Sequence, residues 1–227
     1  MDNAQWSVAQ DRRPLLSVIL NAGGQSRRMG RNKALLPVGG VPLIQHVALR
    51  LLPLVDERLF VIGNDAAVQA AVQIPCPTVG LADAWPDAGA AGGIATGLAH
   101  VEGWAAVVAC DLPLVRAEIF RHLLALAQEP GPDGQPWDLV VPVVDGREQT
   151  LHALYHHRCL PALHAQLAQG RLRVNYFYDQ VRVRRVTEDE LRSVDPNLHS
   201  FVNANTPDEW AYALALLARE LDDAAGR

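Results

Sequence analysis

Residues Leu15-Leu16-Ser17-Val18-Ile19-Leu20 form a short, nearly continuous apolar run that leads directly into Asn21-Ala22-Gly23-Gly24. A run of that length, closed by glycines, reads as a buried strand feeding a ligand-binding turn. Similar runs recur at Arg58 to Ile62, Trp104 to Cys110 and Trp137 to Val144, each separated from the last by a stretch with helical spacing. Ile44, Val47 and Leu51 fall on one helical face after Pro42, which suits a first-turn position. Strands alternating with helices in this way predict an α/β protein, a three-layer α/β/α sandwich with a mainly parallel, Rossmann-like sheet. Ligands of such sheets sit beyond the strand C-termini, so the segments after Leu20 and after Cys110 are where chemistry is expected.

The chain has 227 residues, 49% of them hydrophobic, enough for one domain with a substantial core. The expected organisation is a flexible extension over 1–13, one domain over 14–215, and a helix end and tail over 216–227. Beyond residue 150 the pattern is less regular. Leu151 to Tyr155 is expected as a strand leading into a helix through about Gln169, and Val181 to Val186 alternates valine with arginine as a half-exposed strand does. Net charge is −5 with both signs interspersed, which argues against nucleic acid or an anionic membrane as partner. Cys76, Cys110 and Cys159 are odd in number and widely spaced, which suits a reducing cytoplasm, and Cys110 is expected buried at a strand end. The absence of an ordinary signal peptide and of any apolar run of membrane-spanning length fits the same compartment.

Asn21 to Lys33 combines small residues, backbone freedom and concentrated positive charge in Arg27, Arg28, Arg31 and Lys33. Glycines let main-chain N–H groups turn toward phosphate oxygens, and the cations neutralise the charge of an incoming anion. Gly24 and Gly30 are too far apart for the Walker pattern, and the adjacent Gly23-Gly24 pair does not make the dinucleotide fingerprint. The bland alternative is a tight turn with solvated cations.

Ala22-Gly23-Gly24-x-Ser26-x-Arg28-Met29-Gly30-x-x-Lys33 resembles the signature of molybdenum cofactor guanylyltransferase and its close nucleotidyltransferase relatives, with Asn21 in place of the usual leucine. The resemblance spans about residues 15 to 212 and implies the nucleotide-diphospho-sugar transferase type of sheet. It implies that Asn21, Ala22, Gly23 and Gly24 pack beside a base, that Ser26 and Arg28 belong to the nucleotide site, and that Lys33 reaches the phosphates as a catalytic residue.

Asp111, in Cys110-Asp111-Leu112-Pro113, follows an apolar strand and should emerge on the same sheet edge as the glycine loop. Triphosphate chemistry usually needs a hard cation held by oxygen ligands, so Asp111 is the expected Mg²⁺ ligand and second catalytic residue. Taken alone, Asp-x-Pro reads more readily as a cap on a helix starting near Arg116; the glycine loop reverses that preference. In the family it resembles, the matching aspartate contacts both Mg²⁺ and nucleotide.

Asp83 is the expected guanine reader with Asn64 assisting, because guanine presents two parallel donors to one carboxylate and cytosine has no such adjacent pair. Asp87 is the rival, and turn chemistry would account for all three. Gly89 to Leu98 resembles the family's Gly-Pro-Leu-x-Gly segment, with alanines replacing proline and leucine; a close helix approach to ligand and a plain packing seam are equal readings.

In Asn203-Ala204-Asn205-Thr206-Pro207-Asp208-Glu209, Thr206 and Glu209 form a capping box around Pro207. That leaves Asn203 and Asn205 unexplained, two amides on one side of an extended segment. The run resembles the family segment that helps bind the pterin, as does Gly170-Arg171-Leu172-Arg173, in which Arg173 is the safer candidate and a solvated loop the alternative. His152, His156 and His157 lack a His-Glu-x-x-His arrangement and are expected in packing or surface roles rather than on a metal.

The resemblance implies transfer of GMP from GTP to molybdopterin with release of pyrophosphate, using Mg²⁺, and leaves room for transient contact with cofactor-delivery or acceptor proteins. CMP transfer to the same cofactor, nucleotidyl transfer to another phosphorylated metabolite, and a non-catalytic GTP-binding regulator or adaptor remain the alternatives.

Overall fold

Strand β1, Leu16–Asn21, is buried at every position, and the rest of the molecule is built around it. The computed structural model describes residues 14–23 and 32–225. The expected extension over 1–13 lies outside them, as do loop residues 24–31, which include Gly24, Ser26 and Arg28.

After β1 come the short strands β2 (Pro37–Val38) and β3 (Val41–Pro42), α1 (Leu43–Leu51), β4 (Leu59–Ile62), α2 (Ala66–Ala70), β5 (Thr78–Leu81) and α3 (Gly89–Leu98). They are followed by β6 (Trp104–Ala109), α4 (Ala117–Gln128), β7 (Leu139–Val144), β8 (Arg147–Glu148) and β9 (His152–His156). The chain ends with α5 (Leu160–Ala168), β10 (Val183–Val186), α6 (Glu188–Arg192) and α7 (Pro207–Ala225). The main sheet runs β10-β7-β9-β6-β1-β4-β5, with β8 attached to β7. β1 is parallel to both β4 and β6, β4 to β5, and β7 to β10. Only β9, antiparallel to β6 and β7, and β8 interrupt the parallel pattern among the described residues.

Alternation along the central strands divides the core into two layers, as a period of two requires. Leu16, Val18 and Leu20 of β1 face a cluster with α1, α4, α6 and α7, while Ile19 faces a second cluster with α3 and α5. This is the three-layer α/β/α sandwich that the sequence predicts. Burying each such leucine or isoleucine contributes about 1.5–3 kcal/mol, so the two faces of β1 alone anchor both helical layers.

Two local expectations need correction, and one strand was not foreseen. β1 ends on Asn21 rather than Leu20, because Asn21 is still in register with Ile62 and Ala109. Pro42 is the N-cap of α1 rather than a first-turn residue; it ends a two-residue hairpin whose corner, Gly39 and Gly40, has φ of 56° and 88°. Positive φ at both corner positions is what a tight hairpin needs, and glycine supplies it without strain. β5 has no counterpart in the sequence reading: it is a four-residue edge strand, Thr-Val-Gly-Leu, only partly buried.

The segment from Gly89 to Leu98 is a helix, buried from Ala91 to Leu98. A Cβ added to Gly97 would lie 2.7 Å from Ile19 Cδ1, and one added to Gly93 would lie 2.6 Å from Asn21 Nδ2. The small residues therefore form a packing seam that brings α3 closer to β1 than side chains would allow.

Candidate functional site

Because β4, β1 and β6 are adjacent and parallel, their C-terminal ends open on one edge, with Ile62, Asn21 and Ala109 in register. The backbone carries that register past the strands: Ala22 N–H donates to Ile62 O at 2.8 Å, and Cys110 N–H to Asn21 O at 3.2 Å. Ala22-Gly23, Gly63-Asn64 and Cys110-Asp111 thus emerge side by side. This is the crevice in which an open α/β sheet places its ligand.

Lys33 re-enters this edge from the far side of the loop. Asn32 caps a 3-10 turn over Lys33–Leu35 through Ala34 N–H, and its side-chain amide donates to Asp65 Oδ2 at 2.8 Å. Asp65 in turn caps α2, so the end of the loop is pinned to a helix. Held in this way, Lys33 is only 5% exposed, and its Nζ donates to Asp111 Oδ2 at 3.1 Å and to Asn205 Oδ1 at 2.8 Å. A buried ammonium requires such partners, since an unpaired one carries a desolvation cost of several kcal/mol, on the order of the stability of a small element.

Asp111 does not cap the following helix. α4 starts at Ala117 with Arg116 at its N-cap, and Arg116 N–H donates to Ser200 Oγ at 2.9 Å. The carbonyl of Asp111 accepts from Ala204 N–H at 3.2 Å, which brings the Asn203-Ala204-Asn205 segment onto the sheet edge. Ala204 is buried while Asn203 and Asn205 are exposed, the alternation expected of an extended segment. Thr206 and Glu209 make the reciprocal capping bonds at the start of α7. Glu209 also accepts from Asn205 N–H at 2.7 Å.

Beside this charged cluster lies a second group of polar residues. Asn64 Oδ1 accepts from Asp83 N–H at 2.9 Å; because that partner can only donate, the amide oxygen must face it, leaving the NH₂ as the group Asn64 can offer a ligand. Asp83 Oδ1 accepts from Trp85 N–H at 2.9 Å and faces Thr96 Oγ1 at 3.2 Å. Its Oδ2 lies 3.9 Å from where a Cβ on Gly23 would stand, so the carboxylate borders the start of the loop. Asn21, 3% exposed, accepts from Gly23 N–H at 3.0 Å and donates to Ala90 O at 3.3 Å. Asp87 is exposed at φ 69°, a turn residue ahead of α3.

Thr96 was not apparent from the sequence as a site residue. The available signal was its solitude: it is the only polar side chain in Gly-Ala-Ala-Gly-Gly-Ile-Ala-Thr-Gly-Leu. Its burial against Asp83 depends on contacts across thirteen positions, which local pattern does not show.

Arg173 is exposed, and among the described residues no hydrogen bond or ion pair joins its side chain to the Lys33 cluster. His152 is 2% exposed, stacked on Phe120 at 4.7 Å and against Phe201 at 4.4 Å, with Nε2 3.2 Å from Ser200 Oγ. Burial lowers its pKa to about 3. It is a packing residue held neutral. Cys159 is buried, but Cys110 is only partly covered, against expectation, because β6 ends at Ala109 and Cys110 already belongs to the opening edge. Its thiol is nonetheless pushed up to about 12 by desolvation and by the neighbouring Asp111 charge. Among the described residues no group of three or more histidine, cysteine, aspartate or glutamate side chains is placed to hold a metal, and no helix is long and apolar enough to cross a membrane.

Similarity to known proteins agrees with this geometry. The MobA-like NTP transferase domain family matches residues 18–183. A protein of Carboxydothermus hydrogenoformans named probable molybdenum cofactor guanylyltransferase is 30% identical over 204 residues, covering 89% of this chain and 97% of that protein. A Bacillus cereus (strain G9842) protein of the same name is 28% identical, with the same coverage. The crystal structure of molybdopterin-guanine dinucleotide biosynthesis protein A from Archaeoglobus fulgidus superposes with a TM-score of 0.73 at 25% identity, over 91% of this chain and 100% of that one. A CMP:2-keto-3-deoxy-manno-octonic acid synthetase, at 17% identity and TM-score 0.62, shares the fold alone. Fold, site and relatives together define a nucleotidyltransferase. The chain belongs to the MobA-like NTP transferase family.

Proposed function

We propose that this enzyme transfers GMP from GTP to the terminal phosphate of molybdopterin and releases pyrophosphate. The observation that carries the reading is the convergence of Lys33, Asp111 and Asn205 on one edge of the sheet, with Asp83 bordering the other side of the loop start. A nucleotide lying along that edge would have its base at Asp83 and its phosphates at Lys33. The names of the C. hydrogenoformans and A. fulgidus relatives support the choice of acceptor.

Guanine suits the base end. Its ring N–H and exocyclic amine match the two oxygens of Asp83, and its O6 suits the NH₂ that Asn64 has left to offer. Asn21, Ala22 and Gly23 supply the adjoining wall, joined in this proposal by Gly24, Ser26 and Arg28 from outside the described residues. At the phosphate end, Lys33 has three N–H donors, of which Asp111 and Asn205 take two; the third is the one a phosphate oxygen would use.

In the transfer, an oxygen of the molybdopterin phosphate attacks the α-phosphorus of GTP. The bond from that phosphorus to the bridging oxygen breaks, its electron pair leaving with pyrophosphate. Lys33 neutralises the departing charge and holds the phosphates in line, so positioning and electrostatics carry the step without a nucleophilic side chain. Asp111 would hold Mg²⁺. A single part-exposed carboxylate fits that ion, which usually takes one or two carboxylates and fills its shell with water and substrate phosphates. When bound, Mg²⁺ would add positive charge against the phosphates.

Asn203 and Asn205 would present amides to the pterin, Asn205 through the NH₂ of the amide whose Oδ1 accepts from Lys33. Support for Arg173 at the pterin is the family resemblance alone. The test is Asp83→Ala assayed with GTP and CTP: KM for GTP should rise about tenfold or more and the preference for GTP should collapse. An unchanged preference would contradict guanine reading by Asp83.

A further inference from the structure

We infer that Thr96 is a positioning residue for base selection, fixing the carboxylate of Asp83 from behind; this rests on the reading of Asp83 as the base-contacting group. Thr96 is 5% exposed, so its hydroxyl works within the protein and does not itself meet solvent or ligand. The oxygen accepts from Ala84 N–H at 3.0 Å, tying the Asp83-Ala84 corner to α3. The single hydroxyl hydrogen has two acceptors within reach, Asp83 Oδ1 at 3.2 Å and the Gly92 carbonyl one turn earlier at 2.9 Å.

Only one of these can be donated to at a time. Gly92 O is a helix carbonyl with its own backbone bonding pattern, whereas Asp83 Oδ1 is a charged acceptor, for which a hydrogen bond is roughly twice as strong. Together with Trp85 N–H, the hydroxyl therefore confines the inner oxygen of Asp83 and leaves Oδ2 on the side of Gly23. A carboxylate so confined presents one oxygen in a fixed direction. Without the hydroxyl, Trp85 N–H alone would hold it, and the group could rotate.

Base discrimination is the property that rotation would spoil. Inosine triphosphate keeps the ring N–H of GTP and lacks the exocyclic amine, so it loses one of the two parallel donors and reports on carboxylate orientation directly. The experiment compares wild type, Thr96→Val, Thr96→Ser and Asp83→Ala by pyrophosphate release with GTP and with inosine triphosphate, after a thermal melt establishes folding. Thr96→Val should raise KM for GTP about tenfold and KM for inosine triphosphate much less, with kcat within about twofold of wild type. Thr96→Ser, which keeps the hydroxyl, should restore both the KM and the ratio. If Thr96→Val does not fold, Thr96→Ala removes the same hydroxyl without a methyl in its place, and the same outcome is expected.

A folded hydroxyl-less variant with the wild-type ratio, or a serine variant as impaired as valine, would overturn the inference. If Asp83→Ala abolishes discrimination while Thr96→Val preserves it, only the role of Thr96 fails. If Asp83→Ala itself leaves discrimination intact, the base-reading assignment fails and the role of Thr96 fails with it.

Discussion

Lys33 and Asn205 are separated by 172 positions in the chain, yet Lys33 Nζ donates to Asn205 Oδ1 at 2.8 Å. With Asp111 as the second partner, the ammonium joins the loop after the first strand, the end of the fourth long parallel strand and the entry to the last helix. A site for two substrates needs such a junction. In the proposed reaction one residue, Lys33, would then answer to both the nucleotide and the acceptor.

Lys33→Ala and Asp111→Asn should each lower kcat by about a hundredfold, since removing one preorganised charge-stabilising group commonly costs roughly 3 kcal/mol. Steady-state pyrophosphate release checks this, and near-normal turnover in either variant would sink the phosphate-end assignment.

The same ion pair should be asymmetric in stability. Asp111→Ala leaves a 6%-exposed ammonium without its counter-ion, whereas Lys33→Ala leaves a carboxylate 24% exposed and open to hydration. The aspartate variant should therefore melt at the lower temperature. Equal melting temperatures would show that water already reaches Lys33.

Asn205→Ala should raise the acceptor's KM more than that of GTP, with kcat/KM for the acceptor falling about tenfold, because it removes an amide proposed to meet the acceptor and one of Lys33's two partners. Varying each substrate at saturating levels of the other separates the two. A rise confined to GTP would place Asn205 on the nucleotide alone.

Gly93→Ala sets two effects against each other. A helical glycine replaced by alanine gains about 1 kcal/mol of helix propensity. The new Cβ, however, would stand 2.6 Å from Asn21 Nδ2, and overpacking of this kind costs about 1–3 kcal/mol. The variant should be net destabilised and bind GTP more weakly, because Asn21 must give up its bonds to Gly23 N–H and Ala90 O. A raised melting temperature with unchanged GTP affinity would contradict the packing described.

Acid should destabilise the fold in a window set by histidines that are buried, as His152 is, or partly covered, as His156 and His46 are. Burial lowers His152 to about 3 and His156 to about 4, and His46 is lowered too, all from 6.5. The unfolded chain then binds more protons than the folded one below pH 6.5, so this contribution is intact above that pH and is lost as pH falls toward the folded values. For His152 the loss at pH 5 is about 2 kcal/mol. Urea midpoints measured between pH 7 and 5 should fall, and His152→Phe, which keeps the stack with Phe120 and Phe201, should flatten the slope. An identical slope in that variant would assign the effect elsewhere.

What was legible in the sequence was whatever a local period or a short motif can carry. The central strands, the alternation of layers and the capping box at Thr206 follow from neighbouring residues. So did the emergence of Asn21 and Asp111 on one edge, since strand C-termini determine where such residues emerge, whereas Asp83 follows the unforeseen β5 and Lys33 is carried back by the bond from Asn32 to Asp65. β5 escaped because four residues with a central glycine and partial burial carry no distinct period. The antiparallel insertion of β9 between β6 and β7 is a pairing choice that composition does not encode. Thr96 behind Asp83 and Ser200 between His152 and Arg116 are long-range polar contacts, visible only once the layers are assembled.

The central claim is tested most directly by pyrophosphate release from the purified chain with Mg²⁺, supplying GTP, CTP or ATP in turn, with and without molybdopterin. The account predicts release that depends on molybdopterin and is at least about tenfold more efficient with GTP than with either alternative. Tight GTP binding without acceptor-dependent release, or faster turnover of CTP, would contradict it.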